Sequence, residues 1–392
     1  MKISNLRIER HDGQSFLTVD VEAKYTSANK LWFSVPSEYE SWLTDDVYDA
    51  FLVAALCPAM YYDEPIEIIG NVSHKLFFNV QRYVHSLLLD FNENLHRISI
   101  TAKGFSNATK KSHHVGMGFS GGVDAFATFR EHFKEESDSE YKISALIFTN
   151  VGQHGNANRG YKKFRGRYEY LKPFAEDVDL PFIPLDSNLF DFYIPKWEYD
   201  FGVICRAVGA LIFETSIDKY YIASDHAYWQ NLYCDFKRGE ADLSDVSECI
   251  TYNLLGTESL DIIIDGCQRN RIEKTSYISD YKPAQHYLNV CICTVENCNK
   301  CSKCTRTLIT LDLLNKLDEF KKVFDISDYK KHKFRYLCYL RTAKGNDLYR
   351  LELINYAKEI GRPFPPYIIA YGYITGIRFK HLFQKLTRKI NK

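Results

Sequence analysis

The sequence predicts an α/β protein: a doubly wound parallel sheet covered by helices, preceded by an α+β domain and followed by a cysteine knuckle near a helical C-terminus. Three observations predict it. Between residues 111 and 290, short apolar runs alternate with helical patterns, which is how β-α-β units read. One run, Val115 to Phe119, leads straight into Ser120-Gly121-Gly122-Val123-Asp124, and a helical pattern follows with Phe126, Phe129 and Phe133 on or near one face. Further on, cysteines crowd into Cys291-x-Cys293-x4-Cys298-x2-Cys301-x2-Cys304.

A chain of 392 residues has room for two or three domains. The pattern divides it into residues 1–110, an α+β domain suited to partner or substrate binding; 111–290, the α/β domain; and 291–392, the knuckle and helical C-terminal region. With 45% apolar and 26% charged residues it reads as globular. Lys plus Arg equals Asp plus Glu at 50 each, so a net charge near zero argues against wholesale capture of nucleic acid and leaves only a local patch open. No apolar run is long enough to span a membrane, and the opening MKISNLRIERHDG is too polar for a signal peptide. The 11 cysteines are odd in number and clustered, which in an intracellular chain points to metal before disulfides. The expectation is therefore a cytoplasmic protein without a membrane partner.

Taken in order, Ile3 to Ile8, Phe16 to Tyr25 and Lys30 to Val35 read as strands, the last closed by Pro36. Thr44 reads as an N-cap, with Asp45 and Asp46 in the first turn of a helix toward Met60. Glu64 to Ile69 is a strand ended by Gly70, Ser73 caps a helix through Leu89, and His96 to Ala102 is a further strand. In the α/β region Ser144 to Thr149 is a strand that ends in Asn150-Val151-Gly152-Gln153-His154. A basic helix follows over Arg159 to Lys172, then a strand at Pro181 to Leu185, a helix over Phe201 to Ile217 and a strand at Lys219 to Ala223. Gly256 to Glu258 reads as a turn, and Arg269, Arg271 and Lys274 as a basic cluster. Thr305 to Leu317 and Asp347 to Gly361 look helical, and Pro363, Pro365 and Pro366 break the second. The tail from Tyr367 is apolar and then basic, and reads as a packed terminal helix or an interfacial one.

Glycines at 121 and 122 let the backbone approach a bound group without Cβ interference. Unpaired N–H groups and the dipole of the following helix add an anion site. The turn lacks the Gly-Lys-Ser/Thr end of a Walker A loop. Its bland alternative is an ordinary glycine turn. In doubly wound sheets ligands sit at the carboxyl ends of strands, at a switch point, and the 150–154 and Ser224-Asp225-His226 segments also lie at such ends. For the cysteines, thiolates suit a tetrahedral Zn²⁺. Cys298, Cys301 and Cys304 are spaced to meet one ion, and Cys291 or Cys293 supplies the fourth sulfur. An iron–sulfur cluster uses similar spacing. Lys300, Lys303 and Arg306 would offset the thiolate charge.

Ser-Gly-Gly-x-Asp resembles the PP-loop of the ATP pyrophosphatases, a HUP-like α/β superfamily. The ordered set of motifs resembles, within it, the 7-cyano-7-deazaguanine synthase family, over about residues 115 to 310. Val151-Gly152-Gln153-His154 is similar to that family's Tyr-Gly-Gln-x-His element, and Arg271 to Lys274 to its lysine-containing segment before the metal site. Cys291, Cys298, Cys301 and Cys304 resemble its zinc cysteines, which makes Cys291 the fourth ligand by resemblance and leaves Cys293 spare.

The resemblance implies a ligase with ATP and Mg²⁺ as cofactors and a structural Zn²⁺. Phe119, Ser120, Gly121, Gly122, Val123, Asp124, Thr149, Gly152, Gln153 and His154 would bind the nucleotide. Ser120, Asp124 and Lys274 would act on the reacting phosphates. A small-molecule carboxylate is adenylated, and ammonia displaces AMP; in the family a second activation dehydrates the amide to a nitrile. For a general base the candidates are His113, His114, His154 and His226. A protein partner through residues 1–110 and a homodimer are further expectations.

The chain departs from the family in three places. Ala125 stands where a hydroxyl residue is usual. The Gly-Tyr-Pro-Asp-Cys-Arg substrate segment is missing, with Ala227-Tyr228-Trp229-Gln230 near its place. The Pro-x-Arg-Asn element is missing as well, with Gly202 to Arg206 in that region. Nucleotide chemistry thus carries over better than the substrate. The rival expectations are a sulfurtransferase that thiolates tRNA, using Cys205, Cys234, Cys249 or Cys267, the same ligase chemistry on another acid, and a non-catalytic nucleotide-binding adaptor.

Overall fold

The structure, a computed structural model, describes residues 1–154, 157–193, 201–232, 248–342, 348–368 and 371. It forms two compact units: residues 1–120 with 124–269, and residues 121–123 with 270–392. The sequence places its boundaries at 110 and 290.

The first unit is α/β and is built on one sheet of ten strands, most of whose neighbours run parallel. Strands β1 (Lys2–His11) and β2 (Gln14–Glu22) form a hairpin. Its two-residue turn, Asp12-Gly13, has φ of 50° and 75°, the positive angles of a type I′ turn that matches strand twist. Antiparallel β3 (Lys30–Pro36) follows β2. After it come α1 (Asp49–Tyr61) and β4 (Ile66–Val72). Helices α2 (His74–Asn79) and α3 (His85–Phe91) are joined by a π-helical turn, and β5 (Ile100–Phe105) closes this half.

The other half is the doubly wound part. It runs β6 (His114–Gly118), α4 (Val123–Phe129), β7 (Ala145–Thr149), α5 (Ala157–Asp177), β8 (Phe182–Ser187), α6 (Gly202–Leu211) and β9 (Ile217–Ala223). It ends with α7 (Tyr228–Leu232), α8 (Glu248–Leu254) and β10 (Asp261–Asp265). The sheet order is β10-β9-β6-β7-β8-β3-β2-β1-β4-β5. From β6 the chain winds to β7 and β8 on one side and to β9 and β10 on the other, all parallel.

Among the described residues an antiparallel contact, β3 with β8, makes one sheet of both halves: Phe33 pairs with Ser187 and Ser34 with Asp186. Asn188 staples it, accepting from Trp32 N at 2.9 Å and donating to Lys30 O at 2.8 Å. One apolar core accordingly runs from Ile3 through Phe51, Ile147 and Phe213 to Ile262.

Three local expectations are corrected. Thr44 does not cap α1, which starts at Asp49; its hydroxyl accepts from Thr215 N at 3.1 Å instead. Ser73 occupies the cap position of α2 without a capping bond, because its hydroxyl donates to the buried Asp49. The helix over Phe201 to Ile217 stops at Leu211, and Ile217 already begins β9. Strand β10 is an addition to the expected set.

The second unit is helical. Helices α9 (Arg271–Ile278), α10 (Lys282–Tyr287), α11 (Ser302–Leu313), α12 (Ile326–Thr342) and α13 (Leu348–Glu359) pack around the cysteine segment. Asn270 caps α9 in a full capping box, taking Glu273 N at 2.9 Å while Glu273 takes Asn270 N at 2.7 Å. Asp347 and most of the tail after Tyr367 lie outside the described residues. No helix among the described residues is long and apolar enough to cross a membrane.

Candidate functional site

Where a doubly wound sheet reverses its order, the connections leave to opposite faces and a crevice opens at the carboxyl ends. Here the reversal lies between β6 and β9. Their last register pair is Met117 with Tyr221. Three residues on, Ser120 and Ser224 therefore leave neighbouring strands at the same level.

Phe119 fixes the turn from below. Its N–H continues the ladder to Ile147 O at 2.9 Å, and its ring stacks on Phe174 at 4.8 Å, with Phe126 and Phe129 edge-on at 5.1 and 5.8 Å. Ser120 beyond it is exposed, and Gly121 has φ +71°, the left-handed region that favours glycine. Val123 is fully buried and starts α4, whose first turn carries Asp124. Ala125 points into the core.

The segment after β7 is tied to itself. Gln153 donates to Thr149 O at 2.7 Å and Thr149 Oγ1 at 2.8 Å, and accepts from Val151 N at 2.9 Å. Gly152 provides a φ of 116° for that turn. His154 is buried beside Phe148 and Phe164, and burial, helped by Arg167 and Lys163, pushes its pKa down to about 3. It is a neutral ring at ordinary pH. His113 and His114 sit at the opposite, amino end of β6, the first paired with Asp218 at 2.9 Å and the second stacked on Trp42. Five strand residues separate them from the crevice, roughly 15 Å of extended chain.

The sequence points to Ser224 and Asp225 at the end of β9 but gives no sign of Glu248 and Arg206, which make a polar cluster with them. Glu248 of α8 is fully buried, and its Oε1 accepts from Ser224 Oγ and from Asp225 N, the latter at 3.0 Å. Arg206 of α6 faces Asp225 at 3.5 Å and Glu248 at 3.9 Å. Burial pushes the Glu248 carboxyl up, against the pull of Arg206. A second missed group ends β10: Asp265 accepts from Thr128 Oγ1 at 2.6 Å and meets His132 Nε2 at 3.1 Å, while His132 stacks on Tyr221. The partners that complete each group left no local motif, since they come from distant elements.

In the second unit Lys274 and Arg271 of α9 are buried, not a solvated face. Tyr349 lies under two guanidinium groups, Arg306 at 3.9 Å and Arg271 at 5.2 Å from its ring centre. Arg269 belongs to the first unit and pairs with Glu131.

The cysteines form a candidate metal centre. The sulfurs of Cys291, Cys298, Cys301 and Cys304 all lie within 4.8 Å of one another, and Cys293 is exposed outside them. Cys291 and Cys301 are 3.9 Å apart. A single tetrahedral ion with Zn–S near 2.3 Å requires an edge of about 3.8 Å, so the donor set fits Zn²⁺ and is tighter than the ligand shell of a multi-iron cluster. The backbone supports thiolates: Cys293 N and Thr294 N point at Cys291 Sγ, Cys301 N at Cys298 Sγ and Cys304 N at Cys301 Sγ, at 3.3 to 3.4 Å. Asn299, at φ 57°, makes the bend between Cys298 and Cys301.

Comparison with family models, with curated proteins and with solved structures finds no match to this chain.

Proposed function

We propose that the protein is an ATP-dependent carbon–nitrogen ligase of the PP-loop kind, resembling 7-cyano-7-deazaguanine synthase. The observation that carries the reading is the Ser120–Asp124 glycine turn, with its left-handed Gly121, leaving β6 where the strand order reverses. Two features add to it: the ordered motifs and the four-sulfur site.

In this reading Ser120 and the turn amides hold the β- and γ-phosphates of ATP, and Asp124 orients the turn or its Mg²⁺. The substrate carboxylate attacks the α-phosphorus, the bond to the bridging oxygen breaks, and pyrophosphate leaves. Lys274 is the cation assigned to the charge that grows on it. Ammonia then adds to the acyl carbon and AMP departs with its electron pair, leaving an amide. A second adenylation, at the amide oxygen, followed by loss of AMP would give a nitrile. The acid is a deazapurine or a related molecule. Zinc has a structural role, because four thiolates leave no open position for water.

The sulfurtransferase alternative needs an activated, accessible thiol, yet burial pushes the thiol of Cys249 up, and Cys205 and Cys267 are buried. Cys234 lies outside the described residues.

The test is mass spectrometry on purified protein with Mg-ATP, ammonium and 7-carboxy-7-deazaguanine. Nitrile, AMP and pyrophosphate together establish the reading. Pyrophosphate without nitrile keeps the adenylation and moves the search to another acid. ATP that binds but is never consumed favours the adaptor alternative.

A further inference from the structure

The cysteine knuckle and the glycine turn are joined by one residue of the second unit, Asn289. Its backbone N–H donates to Gly121 O at 2.7 Å. Its side chain is held by the knuckle, with Oδ1 accepting from Cys291 N at 3.3 Å and Nδ2 donating to Val295 O. The peptides on either side are clamped as well. Asn297 donates to Leu288 O at 2.8 Å and accepts from Val290 N at 2.9 Å, and it also donates to Val323 O at 3.0 Å. Asn289 is buried, with 7% exposure, so water competes weakly for these bonds.

The consequence follows from peptide planarity. In a trans peptide the carbonyl oxygen and the next N–H point in opposite directions. A donor that fixes Gly121 O from one side therefore aims Gly122 N–H to the other. With glycines at both positions, the backbone alone defines that orientation weakly. Cys291 lies two residues from Asn289, and the loop 291–295 that clasps the Asn289 side chain is closed on the Cys291 sulfur by N–H bonds from Cys293 and Thr294.

We propose that the four-cysteine knuckle is the positioning element of the glycine turn, that Asn289 transmits it, and that metal occupancy thereby sets the direction of the Gly122 amide. On the ligase reading, that amide is one of the donors to the ATP phosphates. Asn289 is a positioning residue with no part in bond making. Metal loss then weakens phosphate binding before it touches the sheet.

The experiment is hydrogen exchange read by mass spectrometry on the full chain, with and without a zinc chelator, and on Asn289→Ala with its metal content measured. Peptides spanning 120–124 are expected to exchange faster after chelation, while those spanning β7 stay protected. Asn289→Ala, still holding one metal, is expected to show the faster exchange at 120–124 and about fivefold weaker binding of inorganic pyrophosphate, the equivalent of one hydrogen bond of ordinary strength. Cys293→Ser is expected to match the unaltered chain in both. Unchanged exchange at 120–124, either on chelation or in metal-loaded Asn289→Ala, overturns the proposal. If the exchange coupling is present but neither pyrophosphate nor Mg-ATP binds, the coupling stands and the ligase reading falls.

Discussion

The carboxyl groups of Asp49 and Glu214 face one another in the interior of the first unit, with 1% and 0% exposure. Asp49 accepts from Ser73 N at 2.8 Å and from Ser73 Oγ, so it joins the start of α1 to the end of β4. Burial pushes Asp49 up to about 6 against those hydrogen bonds, and burial with the Asp49 charge pushes Glu214 well above the usual carboxylate range. Lys110 and Glu258 are the other charges that bear on the pair. The folded chain thus holds these protons more tightly than the unfolded one. Their contribution to stability is complete below the unfolded value near 4 and is lost as pH rises through 6. In Glu214→Gln an amide donor faces Asp49, which can then ionise. Urea midpoints compared at pH 4.5 and pH 8 should show a smaller fall for this variant than for the unaltered chain. An equal fall would place the pH dependence elsewhere.

Phe174 is the ring on which the glycine turn's foundation rests. It is fully buried in α5 and touches Phe119, Phe126 and Phe129 at 4.8 to 5.1 Å. Truncation leaves a cavity among three aromatic rings that cannot all move in. Phe174→Ala should lower unfolding stability by about 3–5 kcal/mol in a denaturant melt. A loss under about 1 kcal/mol would mean that the cluster closes over the gap.

The parts of this fold that were legible in sequence are those whose cause is local. The apolar run into Ser120-Gly121-Gly122 specifies strand, turn and helix start within ten residues. The cysteine spacing likewise brought Cys298, Cys301 and Cys304 together. It left Cys291 and Cys293 equivalent, and only the path of the chain decides, burying the first and exposing the second. Thr44 has the chemistry of a cap and satisfies it on Thr215, which is 171 residues away. The β3–β8 pairing has no local signature at all, since a ladder between Phe33 and Ser187 depends on neither segment alone. Strand β10 is a five-residue run with only three apolar residues, Ile262 to Ile264, and is read as a strand only once β9 pairs with it. Glu248 gives no sequence sign that it is buried.

One metal ion per chain is expected, measured by elemental analysis of the purified protein. Cys291→Ser, Cys298→Ser, Cys301→Ser and Cys304→Ser should each lose most of it, because a hydroxyl replaces a thiolate in a four-sulfur shell. Cys293→Ser should retain it, its side chain being exposed outside the cluster. Chelation should unfold α11 and the knuckle first, since binding energy at such a site is folding energy. Full metal in Cys291→Ser, or its loss in Cys293→Ser, would require a different fourth ligand.

Gly121 and Gly13 share a left-handed φ for different reasons, which allows strain to be separated from function. Their φ values are +71° and +75°. An alanine in that region costs about 1–2 kcal/mol, and a Cβ on Gly13 meets nothing within 4 Å, so strain is the whole effect there. Gly13 closes the β1–β2 hairpin, whereas Gly121 opens the turn where the sheet reverses. Gly13→Ala should lower the thermal midpoint and leave nucleotide binding alone. On the ligase proposal, Gly121→Ala should lower the midpoint by a similar amount and also weaken Mg-ATP binding tenfold or more, about 1.4 kcal/mol, because a Cβ would stand where that proposal brings phosphate oxygens to the backbone. Calorimetric titration of Mg-ATP into both variants decides it. Equal affinity in the two would mean that the turn is only a connection between strand and helix, and the ligase reading would lose the observation that carries it.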